Sequence, residues 1–283
     1  MRVANDLLNS VLFFGHIVGD SFKACGTGFL LLHDSLIYIV TAGHLAEGLA
    51  DNPFHIRVNT FAGEHGLFPI DMVMESESRF CWFRHPEASV DLAVLPFPVD
   101  LENQGVDAVA LLSRAAVEQK NPMVDAGCGD MCHVIGLFSM RSGTRRNIAV
   151  VHTGHLAALS DSKELIPSSP NPGHTIYVEG HLVEISNLQG LSGAPVFVRG
   201  GLELNVPISP TETKVVTVYR PELKLLGVWQ GSWDKNLVDT GQRVPVGMGV
   251  VTPAYRLIQL LESEPVAENR RRWLEELNAA TAD

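Results

Sequence analysis

The chain has 283 residues, 46% of them hydrophobic and 19% charged, which is enough apolar material for a sizeable core and excludes wholesale disorder. At roughly 150 residues per domain the length fits two domains or one large all-β unit. With 21 Lys and Arg against 32 Asp and Glu the net charge is −11, which argues against a nucleic-acid partner, because phosphate affinity comes from clustered cations. At the N-terminus, Asn5 and Asp6 precede a short apolar run (7–14) with no small-residue cleavage site after it, so no secretory signal is expected. A dense β pattern follows. Gly26-Thr27-Gly28 reads as a turn, and residues 29–32 and 36–41 as a hairpin around His33-Asp34-Ser35. This most apolar stretch, 29–45, is broken by His33, Asp34 and His44, so no membrane span is expected. Residues 42–49 make a helical turn, and 55–60, 72–75 and 92–96 are strand candidates.

Residues 99–125 read as a connection holding a strand at 106–112 and a short helix at 114–119. A second β-rich stretch has strand candidates at 131–138, 147–155, 175–184, 194–199, 214–219, 224–229 and 248–251, with a polar, Pro-rich loop at 160–173. A helix is expected over 252–261, opened by Pro253, and an amphipathic one over 267–277 with Trp273, Leu274 and Leu277 on its apolar side. The basic run Arg270-Arg271-Arg272 is diluted by Glu268, Glu275 and Glu276 and reads as a solvated face. Many short strands and a late helix suggest two packed β-barrels or a sandwich.

Three local sequences carry chemistry. Ile39-Val40-Thr41-Ala42-Gly43-His44 puts a histidine just after an apolar strand. Val90-Asp91-Leu92-Ala93-Val94-Leu95 puts an acid at the mouth of a buried strand. Gly190-Leu191-Ser192-Gly193-Ala194-Pro195 puts a serine in a Gly-flanked turn. Each has an ordinary reading alone: a satisfied histidine, a strand-initial acid, a turn serine. Together they supply what acyl transfer needs. A serine hydroxyl is a weak nucleophile without an adjacent base, imidazole can take and return its proton, and a buried carboxylate fixes the histidine tautomer. Gly190 lets backbone N–H groups point at a developing oxyanion.

These residues resemble the chymotrypsin-like (trypsin-fold) serine peptidases of the bacterial or intracellular type. "GTGFLL…YIVTAGHLA" resembles their histidine region, "VDLAVL" their aspartate region, "QGLSGAPVFV" their nucleophile region and "LLGVWQGSW" their substrate-binding strand. "MGVVTPAYRLIQLL" is similar to their last strand and C-terminal helix. The chain order His, Asp, Ser is also that of the chymotrypsin template. The resemblance spans about residues 24–262 and implies an all-β fold of two six-stranded antiparallel β-barrels packed face to face. Residues 1–110 would form the barrel with His44 and Asp91, 111–262 the barrel with Ser192, and 263–283 a helical tail. It implies His44 as general base, Asp91 as its orienter, Ser192 as nucleophile, and an oxyanion hole from the N–H groups of Gly190 and Ser192. It implies Ser186 near the base of the specificity pocket, Gln189 at its rim, and a strand Val228, Trp229, Gln230, Gly231, Ser232 that pairs with a substrate backbone. No charge falls at these pocket positions, which favours an uncharged substrate side chain.

Departures from the secreted pattern matter. Leu45 follows the histidine where a half-cystine partner to Cys25 would stand, and Leu191 replaces the acid before the serine, so activation through an N-terminal salt bridge is not expected. The chain is similar in motif style to the high-temperature-requirement proteases, without room for their extra peptide-binding domain. Four cysteines, Cys25, Cys81, Cys128 and Cys132, are too few for a disulfide scaffold and fit a reducing, cytoplasmic compartment. Cys128, Cys132-His133, His152 and His155 lack a zinc-ribbon spacing, so no metal is expected. The expectation is a serine endopeptidase acting on protein or peptide substrates without a cofactor. It would be gated by an activating protein partner, in a stress or defence role. The alternative is a catalytically silent peptide-binding module on the same fold.

Overall fold

The structure, a computed structural model, describes residues 3–50, 53–70, 82–115, 126–171, 174–185, 189–209, 212–219, 223–236 and 243–280. It is mostly β, as the sequence leads one to expect. A short helix α1 (Asn5–Asn9) leads into β1 (Val11–Val18), β2 (Ser21–His33), β3 (Leu36–Thr41), helix α2 (Gly43–Ala50), β4 (His55–Asn59), β5 (His65–Pro69), β6 (Phe83–Arg84), β7 (Ala93–Pro96) and β8 (Leu111–Leu112). These strands form one sheet in the order β5-β4-β1-β2-β3-β7-β6, with β8 parallel to β2. The long apolar stretch of the sequence is thereby divided between β2 and β3, the hairpin at the sheet's centre.

The second half holds β9 (Met131–Gly136), β10 (Val150–Ala158), β11 (Ile166–Asn171), β12 (His174–Val178), β13 (His181–Glu184), β14 (Pro195–Val198), β15 (Gly201–Ser209), β16 (Glu212–Tyr219), β17 (Lys224–Asn236) and β18 (Arg243–Pro253). Six of these close a barrel in the order β10-β13-β18-β17-β14-β9, while β11-β12 and β15-β16 are separate two-stranded hairpins. Two helices follow, α3 (Ala254–Leu261) and α4 (Glu264–Ala280).

Several local expectations change. Gly26-Thr27-Gly28 is not a turn but the middle of β2, opposite a register shift at Phe14/Gly15. Its glycines are there for close approach, since a Cβ at Gly28 would lie 2.7 Å from the Phe14 ring and one at Gly26 would overlap Leu45. The Pro-rich segment 160–173 is partly strand, with Ile166 paired to Val178 and Asn171 to His174. The single strand expected over 175–184 breaks at Glu179-Gly180 into β12 and β13. The expected strand at 106–112 reduces to a bridge at Val106 and the two residues of β8. The candidate at 72–75 and most of 114–119 lie outside the described residues.

Three apolar clusters organise the packing. One fills the first sheet around Phe14, Leu30, Ile39, Ile56 and Phe97, and one fills the barrel around Val134, Val183, Val196, Trp229 and Val251. The third joins the two halves: Phe13, Phe29, Tyr38 and Val94 of the sheet meet Ile135, Phe197 and Val228 of the barrel, with Leu257, Leu260, Val266 and Trp273 from α3 and α4. Ala254, Leu257, Leu260 and Leu261 of α3 are buried along one face, which is what holds a short helix to a body. On α4, Trp273 is buried, as its place on the apolar side predicts, whereas Leu277 is 41% exposed. Arg270, expected on a solvated face, is instead buried: its guanidinium donates to the Leu261 carbonyl (2.9 Å) and reaches Asp34 (3.2 Å).

Candidate active site

His44 is the second residue of α2, immediately beyond the C-terminal end of β3. Asp91 lies just before β7, the neighbour of β3, so pairing of Thr41 with Ala93 brings the two together. His44 Nδ1 is 2.7 Å from Asp91 Oδ2, and the His44 backbone N–H donates to Asp91 Oδ1, also at 2.7 Å. A carboxylate only accepts, so Nδ1 carries the proton and Nε2 is left with a free lone pair. Gly43 makes room for this arrangement: a Cβ there would lie 2.9 Å from Asp91 Oδ1. The histidine side chain is 51% exposed and the aspartate 18%, so the ring is open on one side while the carboxylate that holds it is sheltered. Burial favours the neutral ring, but the hydrogen bond and charge of Asp91, with Glu47 adding, outweigh it and hold the His44 pKa above its ordinary value.

Ser192 occupies the turn before β14, between two glycines with left-handed backbone, Gly190 (φ 102°) and Gly193 (φ 83°). Thr27 and Thr41 seat this turn on the first sheet. Thr27 N–H donates to the Ser192 carbonyl (3.0 Å), and Thr27 Oγ1 donates to the Gly190 carbonyl (2.7 Å) while accepting from Leu137 N–H (2.9 Å). Thr41, three residues before His44, donates to the Thr27 carbonyl (2.8 Å), and Gly193 packs so closely on Thr41 that a Cβ would overlap its Oγ1. The Ser192 hydroxyl itself donates to the Gln230 carbonyl at 3.3 Å. Among the described residues no hydrogen bond links Ser192 to His44, and the N–H groups of Gly190 and Ser192 donate to no protein acceptor.

The substrate-strand residues divide. Val228 pairs with Pro195, and Trp229 exchanges main-chain bonds with the Ser192 turn: its N–H donates to the Ala194 carbonyl, and its carbonyl accepts from Gly193 N–H, both at 2.9 Å. Both side chains are buried. Val228 and Trp229, the first two residues expected on the substrate strand, thus pair through their main chain with the Ser192 turn and the start of β14. From Gln230 onward β17 keeps only β18 as a partner among the described strands, so Gly231 and Ser232 present an open edge. Gln189 is exposed and its carbonyl accepts from Ser139 N–H (3.2 Å). Ser186 lies outside the described residues.

Sequence reasoning missed the polar bracing behind these groups. Gln230 Nε2 donates to Thr252 Oγ1 (2.8 Å) and to the Glu179 carbonyl (3.1 Å), and Thr252 Oγ1 donates to the Asp91 carbonyl (3.1 Å). The strand that receives the Ser192 hydroxyl is thus tied to the loop that carries Asp91. The buried Glu179 carboxylate takes Arg256 Nη2 at 2.5 Å and Nε at 3.1 Å, the Tyr255 hydroxyl and Ser160 Oγ. Burial would raise the Glu179 pKa, but Arg256 and Tyr255 outweigh it and hold it below the usual carboxylate value. Thr27, between two glycines, was the one member with a local signal; the rest come from distant segments with none. Cys25, Cys128 and Cys132 are free thiols. His133 Nδ1 lies 3.0 Å from Thr153 Oγ1, and both His133 and its neighbour Cys132 are buried. No described helix is long and apolar enough to cross a membrane.

No family model matches the chain, and no curated protein matches its sequence. Among solved structures it is similar to Deg5, with 17% identity over 90% of this chain and 88% of that one at a TM-score of 0.49. It is also similar to the Rv3671c protease. For the inactive form the identity is 15%, over 91% of this chain and 92% of that one, at a TM-score of 0.46. For the active form from M. tuberculosis it is 16%, over 91% and 83%, at 0.46. Likeness at this level leaves the chemistry to the chain's own residues.

Proposed function

We propose that the chain is a serine endopeptidase. The observation that carries this reading is the doubly hydrogen-bonded His44–Asp91 pair, its Nε2 left free, beside a Ser192 turn seated on the same hairpin end. Ser192 Oγ attacks the peptide carbonyl carbon as its proton passes to His44 Nε2. The N–H groups of Gly190 and Ser192 take the oxyanion. Collapse breaks the C–N bond, and the proton on Nε2 goes to the leaving nitrogen. Water then repeats the sequence on the acyl-enzyme and frees Ser192. Asp91 stays ionised and supports the imidazolium. A substrate strand pairs with the open edge at Gly231 and Ser232. The free thiols fit a reducing compartment such as the cytoplasm.

The Ser192 hydroxyl points to the Gln230 carbonyl and not to His44. This favours a gated enzyme, in which a partner or the substrate itself turns the hydroxyl toward the imidazole. It is also the observation that supports the second reading, a catalytically silent peptide-binding module. A fluorophosphonate probe separates them. Labelling of wild type, abolished in Ser192→Ala and His44→Ala, supports the peptidase, and labelling that appears only in lysate supports gating. No labelling under either condition, with peptide binding unchanged by Ser192→Ala, supports the binding module.

A further inference from the structure

Among the described residues, the largest side chain in the barrel core that Leu191 and Ala194 share is the Trp229 indole. Trp229 is 1% exposed and its main chain bonds to both residues that follow Ser192. Its indole lies across β17 and β18 onto Gly249, where any Cβ would overlap the ring. Leu191 and Ala194, which flank the Ser192–Gly193 tip, share a cluster with it, together with Val183, Ile185 and Val251. The space beneath the nucleophile is therefore filled by an indole that only a glycine opposite permits.

A peptide that extends β17 along its open edge turns its side chains alternately to the two faces of the sheet. One face looks into the barrel. The other looks toward the first sheet, where His44 must reach both the Ser192 hydroxyl and the leaving nitrogen. The residue whose carbonyl is attacked therefore directs its side chain to the barrel side, and there it meets Trp229. We infer that Trp229 sets the cleavage specificity by filling this space, so that the substrate class is peptides with Gly, Ala or Ser on the acyl side of the scissile bond. This rests on the peptidase reading and narrows the uncharged preference expected from sequence to a small one.

The test uses peptidyl phosphonates that differ only in the residue on the acyl side, Ala, Leu or Phe, alongside a simple fluorophosphonate that carries no side chain. The full chain is expected to react about tenfold or more faster with the Ala compound than with Leu or Phe. In Trp229→Val the ratio of Phe to Ala rates is expected to rise by about tenfold or more. Wild type reacting as fast with Phe as with Ala overturns the inference whatever the variant does, including a variant that fails to fold. An unchanged ratio in folded Trp229→Val overturns it as well. Wild type that ignores the simple fluorophosphonate, alone and in lysate, overturns the peptidase reading and this inference with it. Labelling by that probe alongside a large-residue preference overturns the inference and leaves the peptidase reading standing.

Discussion

The two halves of the site are held by different means. In the first, side chains do the positioning: Asp91 grips both the ring and the backbone N–H of His44 at 2.7 Å. In the second, the main chain of the turn is what is held: Thr27 donates through its N–H to the Ser192 carbonyl and through its Oγ1 to the Gly190 carbonyl, and Gly193 sits against Thr41. The difference follows from the two tasks. A base must be fixed in tautomer and supported in charge, which calls for a carboxylate. In the proposed mechanism the nucleophile must swing from the Gln230 carbonyl to an imidazole, which calls for a turn held by its main chain and a hydroxyl without a second partner. The comparison breaks first at Asp91. In Asp91→Asn the partner can donate and the Nδ1–H tautomer is no longer imposed, so the acylation rate at Ser192 is expected to fall by about 10⁴-fold, the scale seen for this change in the serine-peptidase template. In the proposed mechanism His44 works as a neutral base, so the wild-type rate is expected to be lost as the pH drops through its raised pKa, and that limb to move to lower pH in the variant. A loss under about tenfold, or an unmoved limb, would sink the orienting role of Asp91.

The halves also meet through buried charge. Arg256 holds Glu179, whose N–H donates to the Ser89 carbonyl two residues before Asp91 and whose carbonyl holds Gln230. Arg256→Met leaves a buried carboxylate unpaired and is expected to cost about 3–5 kcal/mol. Urea unfolding measures this, and a cost under about 1 kcal/mol would show that the pair stands in solvent after all.

How much of this was legible depends on how far the signal travels along the chain. His44, Asp91 and Ser192 each stand beside an apolar strand or between glycines, so the candidates for the proposed roles could be picked out within six residues. The β class was legible from short strands and turn residues. Gly26 and Gly28 misled because glycine marks both turns and close approaches, and only the packing of Leu45 and Phe14 tells which. The Gln230–Thr252–Asp91 path was illegible: its members are 22 and 161 residues apart, and nothing local to Gln or Thr announces a partner. For Trp229 the resemblance supplied only a place on the substrate strand; that its side chain turns into the barrel core follows from packing across β17 and β18.

Gly193→Ala tests the backbone-held half. The substitution forces an alanine to φ 83° and drives its Cβ into Thr41 Oγ1. Left-handed backbone costs about 1–2 kcal/mol and overpacking about 1–3, so a loss of about 2–5 kcal/mol is expected, with a fall in Ser192 labelling. A variant as stable as wild type would mean that the turn is not clamped and that the two halves differ less than their geometry indicates.

The smallest effect separates the halves by pH. His181 is buried in the barrel, and its Nδ1 accepts the Ser160 N–H at 2.9 Å, which only a neutral ring can do. Burial pushes its pKa down from 6.5 to about 4, with Glu179 opposing. The unfolded chain therefore takes up a proton near pH 6.5 that the folded chain refuses until about pH 4, and stability falls as the pH drops between those values. At about 1.4 kcal/mol per pH unit, the loss at pH 5 is about 2 kcal/mol. His44 runs the other way: its raised pKa adds stability at low pH that fades as the pH rises, and the half-exposed ring keeps that term small. His181→Asn keeps an acceptor for Ser160 without a titrating ring. Urea midpoints from pH 8 to pH 5 should fall more steeply in wild type than in this variant. Equal slopes would move the acid sensitivity to His85, whose pKa burial and Arg256 also lower, and so to the loop beside Asp91 and not the barrel.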